Sequence, residues 1–98
     1  MATEKRLESD WAIPPGDMLR QELRARHMTQ RHLAAQMGTT IRAVKAICQG
    51  KREISADTAL DLEHALGIKA YIWMNLESDY RLTLARQRRQ ESVRATAA

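Results

Sequence analysis

The sequence predicts an all-α domain of five helices in which the last is the longest. Three observations lead there. Glycine and proline are scarce, 4 and 2 of 98 residues, and runs of β-branched residues are absent, so little competes with helix. Apolar residues recur at three- and four-residue intervals, the spacing that collects them on one side of a helix. All four glycines fall where such a segment would begin or stop.

The elements can be taken in order. Pro14-Pro15-Gly16 cannot sit inside a helix but suits the entry to one. Asp17 opens the first helix, expected over 16–27, with Leu19 and Leu23 inward and Arg20, Glu22, Arg24 and Arg26 largely on the other side. It should end near His27, a residue type that tolerates positive φ better than most, because Thr29 is a good N-cap for a second helix. Leu33, Ala34 and Met37 mark one face of that short second helix, which Gly38 stops. Thr40 caps a third, expected over 41–49, with Val44, Ile47 and Cys48 inward and Gly50 as the left-handed residue that closes it.

Lys51 to Ile54 is a loop, and Ser55 caps a fourth helix over 56–66. Its stripe is Ala59, Leu62 and Leu66, with Ala65 beside it, and Gly67 ends it. The fifth helix runs from about Ala70 toward Gln90, with Ile72, Trp73, Leu76, Tyr80 and Leu84 on one side. Beyond it, Arg86, Arg88, Arg89 and Arg94 against Glu91 offer no apolar face, so this stretch is expected to fray. The organisation is therefore a loose N-terminal arm over 1–12, a domain over 13–85 and a basic tail over 86–98. Trp11, just before the Pro-Pro-Gly turn, either folds back onto the core or meets a partner.

A chain of 98 residues builds one core, and with 44% apolar residues, 4% aromatic and no Phe that core must be Leu, Ile, Ala and Met. The single cysteine, Cys48, excludes an internal disulfide and reads as a small buried hydrophobe beside the third helix's core face, not as a nucleophile. His27, His32 and His64 lack Cys or acidic partners at ligand spacing, so no metal is expected. No glycine loop cradles a phosphate and no acid pair suggests a cleft, so neither a cofactor nor enzymatic activity is expected. No apolar run approaches about 18 residues, which argues against a membrane and makes a cytoplasmic protein the expectation.

Charge is distributed unevenly. The chain carries a net +4, but Gly38 to Arg52 alone holds Arg42, Lys45, Lys51 and Arg52 with no acid. The next stretch, Glu53 to Ile68, holds Glu53, Asp57, Asp61 and Glu63 with no Lys or Arg. A basic segment succeeded by an acidic one suits a molecule with one face for phosphates and another turned away, although solvated helix faces would look the same. The second helix, Gly38, two threonines and the third helix have the lengths of a helix-turn-helix over about 29–49. Ala34 is small enough for the two helices to approach, Gly38 takes the turn, and Val44 and Ile47 anchor the third helix from behind. Its opposite side, Ile41, Arg42, Lys45, Ala46 and Gln49, is left free to enter a major groove.

Thr29-Gln30-Arg31-His32-Leu33-Ala34, then Gly38-Thr39-Thr40, Val44, Ile47 and Gly50-Lys51-Arg52, resemble the phage-repressor type of helix-turn-helix. Three further runs resemble HigA-type antitoxins. They are Ile13-Pro14-Pro15-Gly16-Asp17-Met18-Leu19, Ile54-Ser55-Ala56-Asp57-Thr58-Ala59-Leu60, and Trp73-Met74-Asn75-Leu76 with Tyr80 and Leu82. The resemblance spans residues 13 to 85. Departures are Glu77 where the family usually has Gln, Arg81 where it usually has Asp, Lys69 where a Ser or Thr cap is common, and His32 in place of a capping-box Glu.

The resemblance implies an antitoxin and autorepressor that neutralises a small basic RNA-cleaving toxin of the HigB type. Ile41, Arg42, Lys45 and Ala46 would face bases, with Arg42 or Lys45 on guanine and Ile41 on a thymine methyl. Gln30 matches a family glutamine that contacts the backbone and an adjacent base. Thr39, Thr40, Lys51 and Arg52 would hold phosphates. One helix-turn-helix contacts few base pairs, so a homodimer on a near-palindromic operator is expected, with Tyr80, Leu82 and Leu84 as candidates for its interface. Trp73 and Leu76 close the core or join that interface. A stand-alone repressor of the same fold shares every DNA argument. A protein-interaction module that has lost DNA binding would not need the retained Arg42, Lys45, Lys51 and Arg52.

Overall fold

The computed structural model describes residues 12–97, and over these five helices succeed one another: α1 (Pro15–Ala25), α2 (Gln30–Met37), α3 (Ile41–Cys48), α4 (Ala56–Leu66) and α5 (Ala70–Ala97). There is no strand among the described residues. Trp11 and all of the expected N-terminal arm except Ala12 lie outside them.

The first four helices are short because each is stopped by chain chemistry. α1, α2 and α3 all end in the same paired device, in which two backbone N–H groups beyond the helix return to its last-turn carbonyls. At the end of α1 the N–H of His27 donates to Arg24 O at 3.2 Å and that of Met28 to Leu23 O at 2.9 Å. At the end of α2 the donors are Gly38 and Thr39, and at the end of α3 they are Gly50 and Lys51. The device needs one left-handed residue, supplied by Gly38 (φ 71) and Gly50 (φ 74) and, after α1, by His27 (φ 54). α1 thus ends at Ala25 and begins at Pro15, slightly offset from the expected 16–27. Proline loses nothing at the first helical position, where its missing N–H has no partner to lose.

Helix starts are equally explicit. Thr29, Thr40 and Ser55 accept from the N–H groups of His32, Ala43 and Thr58 at 3.0, 3.1 and 3.2 Å. His32 therefore leaves the α2 cap intact despite lacking a carboxylate. At α5, where Lys69 cannot cap, Glu63 reaches from α4 and accepts from the Ala70 N–H at 2.9 Å.

The core gathers Leu19 and Leu23 of α1, Leu33 and Ala34 of α2, Val44, Ile47 and Cys48 of α3, Ile54 of the loop, Ala59, Leu62 and Leu66 of α4, and Trp73 of α5. α3 packs against α1 and α2, whereas α4 packs against α2 and α5. The basic and the acidic helix thus share α2, but only the basic one packs on α1 and only the acidic one on α5. Burial pushes the Cys48 thiol up from its ordinary value, with the charge of Arg20 opposing, as suits a cysteine used as a hydrophobe.

α5 corrects one expectation. It does not fray after Gln90 but continues to Ala97. Its second half is rich in Ala, Arg and Gln, which are strong helix formers and sustain the helix without an apolar face.

Candidate nucleic-acid interface

The interface is built outward from the two-sided character of α3. Ala43, Val44, Ile47 and Cys48 are buried, and Val44 is wholly so. That leaves Ile41, Arg42, Lys45 and Gln49 exposed and Ala46 half-buried between them. Ile41 is 40% exposed and stands beside the cationic Arg42 and Lys45 on this face.

Two contacts hold α3 at its C-terminal end. The first turn of α1 runs against it so closely that a Cβ on Gly16 would press into the carbonyl oxygens of Ile47 and Cys48. Arg20 donates to the Cys48 carbonyl and pairs with Asp17, placing a cation at the negative end of α3. The sequence had put Arg20 on a solvent face; nothing in its spacing within α1 indicates a partner 28 residues away.

The remaining candidates surround this face. Gln30 is half-buried at the first position of α2, Thr39 half-buried and Thr40 exposed in the turn, and Lys51 and Arg52 exposed in the loop after α3. Among the described residues, none of Arg42, Lys45, Lys51 and Arg52 is paired with a carboxylate, so their charge is free for an anionic partner. The turn and loop positions flank α3 at its two ends, the placement that phosphate contacts on either side of a groove require.

The candidates on α5 are not brought together. Tyr80 and Leu84, four apart, share the side that carries Trp73 and Glu77, and both are half-buried. Leu82 is 49% exposed and lies on the opposite side, because two residues along a helix turn about 200°. Tyr71, three turns earlier at nearly the same angle around the helix, is also exposed. Trp73 is fully buried in this chain's own core, and Leu76 packs against that core.

Glu77 is a further group that the sequence does not reveal. It is buried, accepts from the Ile54 N–H at 2.9 Å and pairs with Arg81. The two positions stood out only as departures. A Glu with an Arg four residues later on one helix was the available signal.

The comparisons agree with this geometry. The helix-turn-helix family model matches residues 19–73. Virulence-associated protein I of Dichelobacter nodosus is 35% identical over 80 residues, covering 81% of this chain and 74% of that protein. Among solved structures, an antidote protein of a plasmid maintenance system from Nostoc punctiforme matches with a TM-score of 0.85 at 26% identity, over 88% of this chain and 94% of its own. The Pseudomonas aeruginosa antitoxin HigA, solved with the higBA promoter, matches with a TM-score of 0.78 at 32% identity, over 85% and 91%.

Proposed function

Because this chain belongs to the helix-turn-helix family, in its HigA-type antitoxin branch, we propose that it is the DNA-binding antitoxin of a HigBA-type pair. It neutralises a small basic RNA-cleaving toxin and represses its own operon as a homodimer. It acts by binding and not by catalysis. The observation that carries the DNA half is the division of α3 into a buried back and an exposed, cationic front. The toxin half is supported by the HigA-type relatives.

In this reading Ile41, Arg42, Lys45 and Ala46 meet base edges, with Gln49 at the rim and Gln30 at the groove wall. Thr39, Thr40, Lys51 and Arg52 meet phosphates. A bidentate Arg42 or Lys45 contact to guanine discriminates by about 1–3 kcal/mol per base pair. Half-sites lie about 34 Å apart on a near-palindromic operator. The dimer uses α5, with Tyr80 and Leu84 on one side and Leu82 on the other as alternative contact faces. The domain spans 13–85, with the basic stretch over 86–98 appended.

The first experiment is to tag the chain at its natural locus and identify what copurifies. A stoichiometric small basic protein, toxic when expressed alone, establishes the pair; a bare DNA-binding homodimer makes the chain a stand-alone repressor. Titrations on matched and scrambled duplexes then test the site. Arg42→Ala should lose affinity for the matched duplex alone, and Lys51→Ala should weaken both equally and flatten the salt dependence. Equal losses on both duplexes for Arg42→Ala rule out its base-reading role.

A further inference from the structure

The loop between α3 and α4 is tethered at both ends. At its start the Lys51 N–H donates to the Ala46 carbonyl at 2.9 Å, fixing it to α3. At its end Ile54 is buried, and its N–H donates across 23 residues to Glu77 Oε1 at 2.9 Å. Glu77 is itself only 7% exposed. Its second oxygen accepts from Arg81 Nε at 2.5 Å, and that same nitrogen lies 3.6 Å from Glu53 Oε1. The Arg81 guanidinium also sits 5.0 Å from the centroid of the Tyr80 ring. Between the two tethers stand Lys51 and Arg52, exposed and unpaired among the described residues.

A buried carboxylate is poor material for stability, since desolvation offsets much of what its partners return. What this one supplies is a position. An apolar side chain at residue 77 would fill the space but leave the Ile54 N–H buried without an acceptor and the loop's end unfixed. Resting on the DNA-binding reading above, we propose that Glu77 and Arg81 are positioning residues for duplex binding. They hold the 51–54 loop from α5 so that Lys51 and Arg52 meet phosphates already ordered. A loop ordered in advance loses less conformational freedom on binding, and the saving appears as affinity without any contact between α5 and the duplex.

The test uses full-length Glu77→Ala, Glu77→Gln and Arg81→Ala chains. The probes are a duplex of about 30 base pairs that the parent has selected from a random pool, long enough for two half-sites, and its scramble. Affinity is read between about 0.05 and 0.2 M salt, with hydrogen exchange at the Ile54 amide read in parallel. Glu77→Ala should keep its helix content, open the Ile54 amide to exchange, and weaken both duplexes roughly tenfold with a salt slope shallower by about 1. Glu77→Gln should recover most of the loss, because its amide oxygen still accepts from Ile54. Arg81→Ala should lose about threefold, since it removes a half-buried partner and no buried acceptor. A folded Glu77→Ala chain with an exchanging Ile54 amide but the parent's affinity and slope overturns the proposal, as does a Glu77→Gln chain no better than Glu77→Ala. If Glu77→Ala does not fold, Arg81→Ala decides, and parent-like affinity and slope in it overturn the proposal. A parent that selects no duplex removes the DNA-binding reading and this proposal with it, a result distinct from parental binding that the variants leave unchanged.

Discussion

Residues 70–81 of α5 bury Trp73 completely and Glu77 nearly so against a body to which α1 and α4 both contribute. Residues 86–96 of the same helix are exposed at every position but the half-buried Gln87. The backbone is α-helical throughout, yet the two halves are helical for different reasons. The first carries poor helix formers, Tyr71, Ile72 and Trp73, and is held by tertiary packing. The second has little to pack on and is held by propensity. Secondary structure read along the chain therefore says nothing about where the stability of this protein resides.

Substituting Trp73 should break the comparison most severely. Its ring is the largest fully buried side chain, and Trp73→Ala is expected to cost about 3–5 kcal/mol, a large part of the stability of a domain this size. Among the described residues its indole N–H has no acceptor within hydrogen-bond distance, so the ring acts by volume. Trp73→Phe should accordingly cost less than half as much. Urea unfolding of both variants measures the ratio; equal losses would show that the indole nitrogen matters after all.

The next largest effect is expected where α1 meets α3. Gly16 lies where α1 meets the C-terminal end of α3, and a methyl group there meets backbone oxygen, which cannot swing aside as a side chain can. Gly16→Ala should destabilise by about 1–3 kcal/mol and should also weaken duplex binding, because relieving the clash displaces α3. A loss of stability with unchanged affinity would mean that α1 moves instead.

The legible part of this molecule was the part governed by local chemistry. Thr29, Thr40 and Ser55 announced helix starts, and Gly38, Gly50 and His27 announced ends, because a cap is decided within about five residues. The buried residues of α1 to α4 were readable from periodicity. What the sequence did not disclose were links between distant segments: Arg20 to the end of α3, Glu63 to the start of α5, Glu77 to Ile54. Each joins a side chain that is ordinary on its own helix to a backbone group that any residue could offer. The length of α5 was misjudged for a different reason. The absence of an apolar face was read as the absence of a helix, although propensity alone sustains one there. Helical geometry sets Leu82 across the rod from Tyr80 and Leu84, so the three expected interface residues offer two faces, not one.

The smallest effect, and the one that tests the comparison most directly, is expected from ending the chain at Ala85. This removes four arginines and one glutamate, all exposed, and keeps Tyr80, Leu82 and Leu84. If the second half of α5 is helical by propensity alone, the shortened chain should lose far-UV helix signal in proportion to its length while its unfolding free energy changes by less than about 1 kcal/mol. A larger, concentration-dependent loss would place the removed residues inside an assembly, since only a partner could make an exposed rod contribute to stability. Duplex binding resolves what the arginines do. Unchanged affinity means they are solvated, whereas a weaker and less salt-sensitive complex means they reach phosphates. In that case the two halves of α5 would serve the same duplex by different routes, the first by holding the 51–54 loop and the second by direct charge.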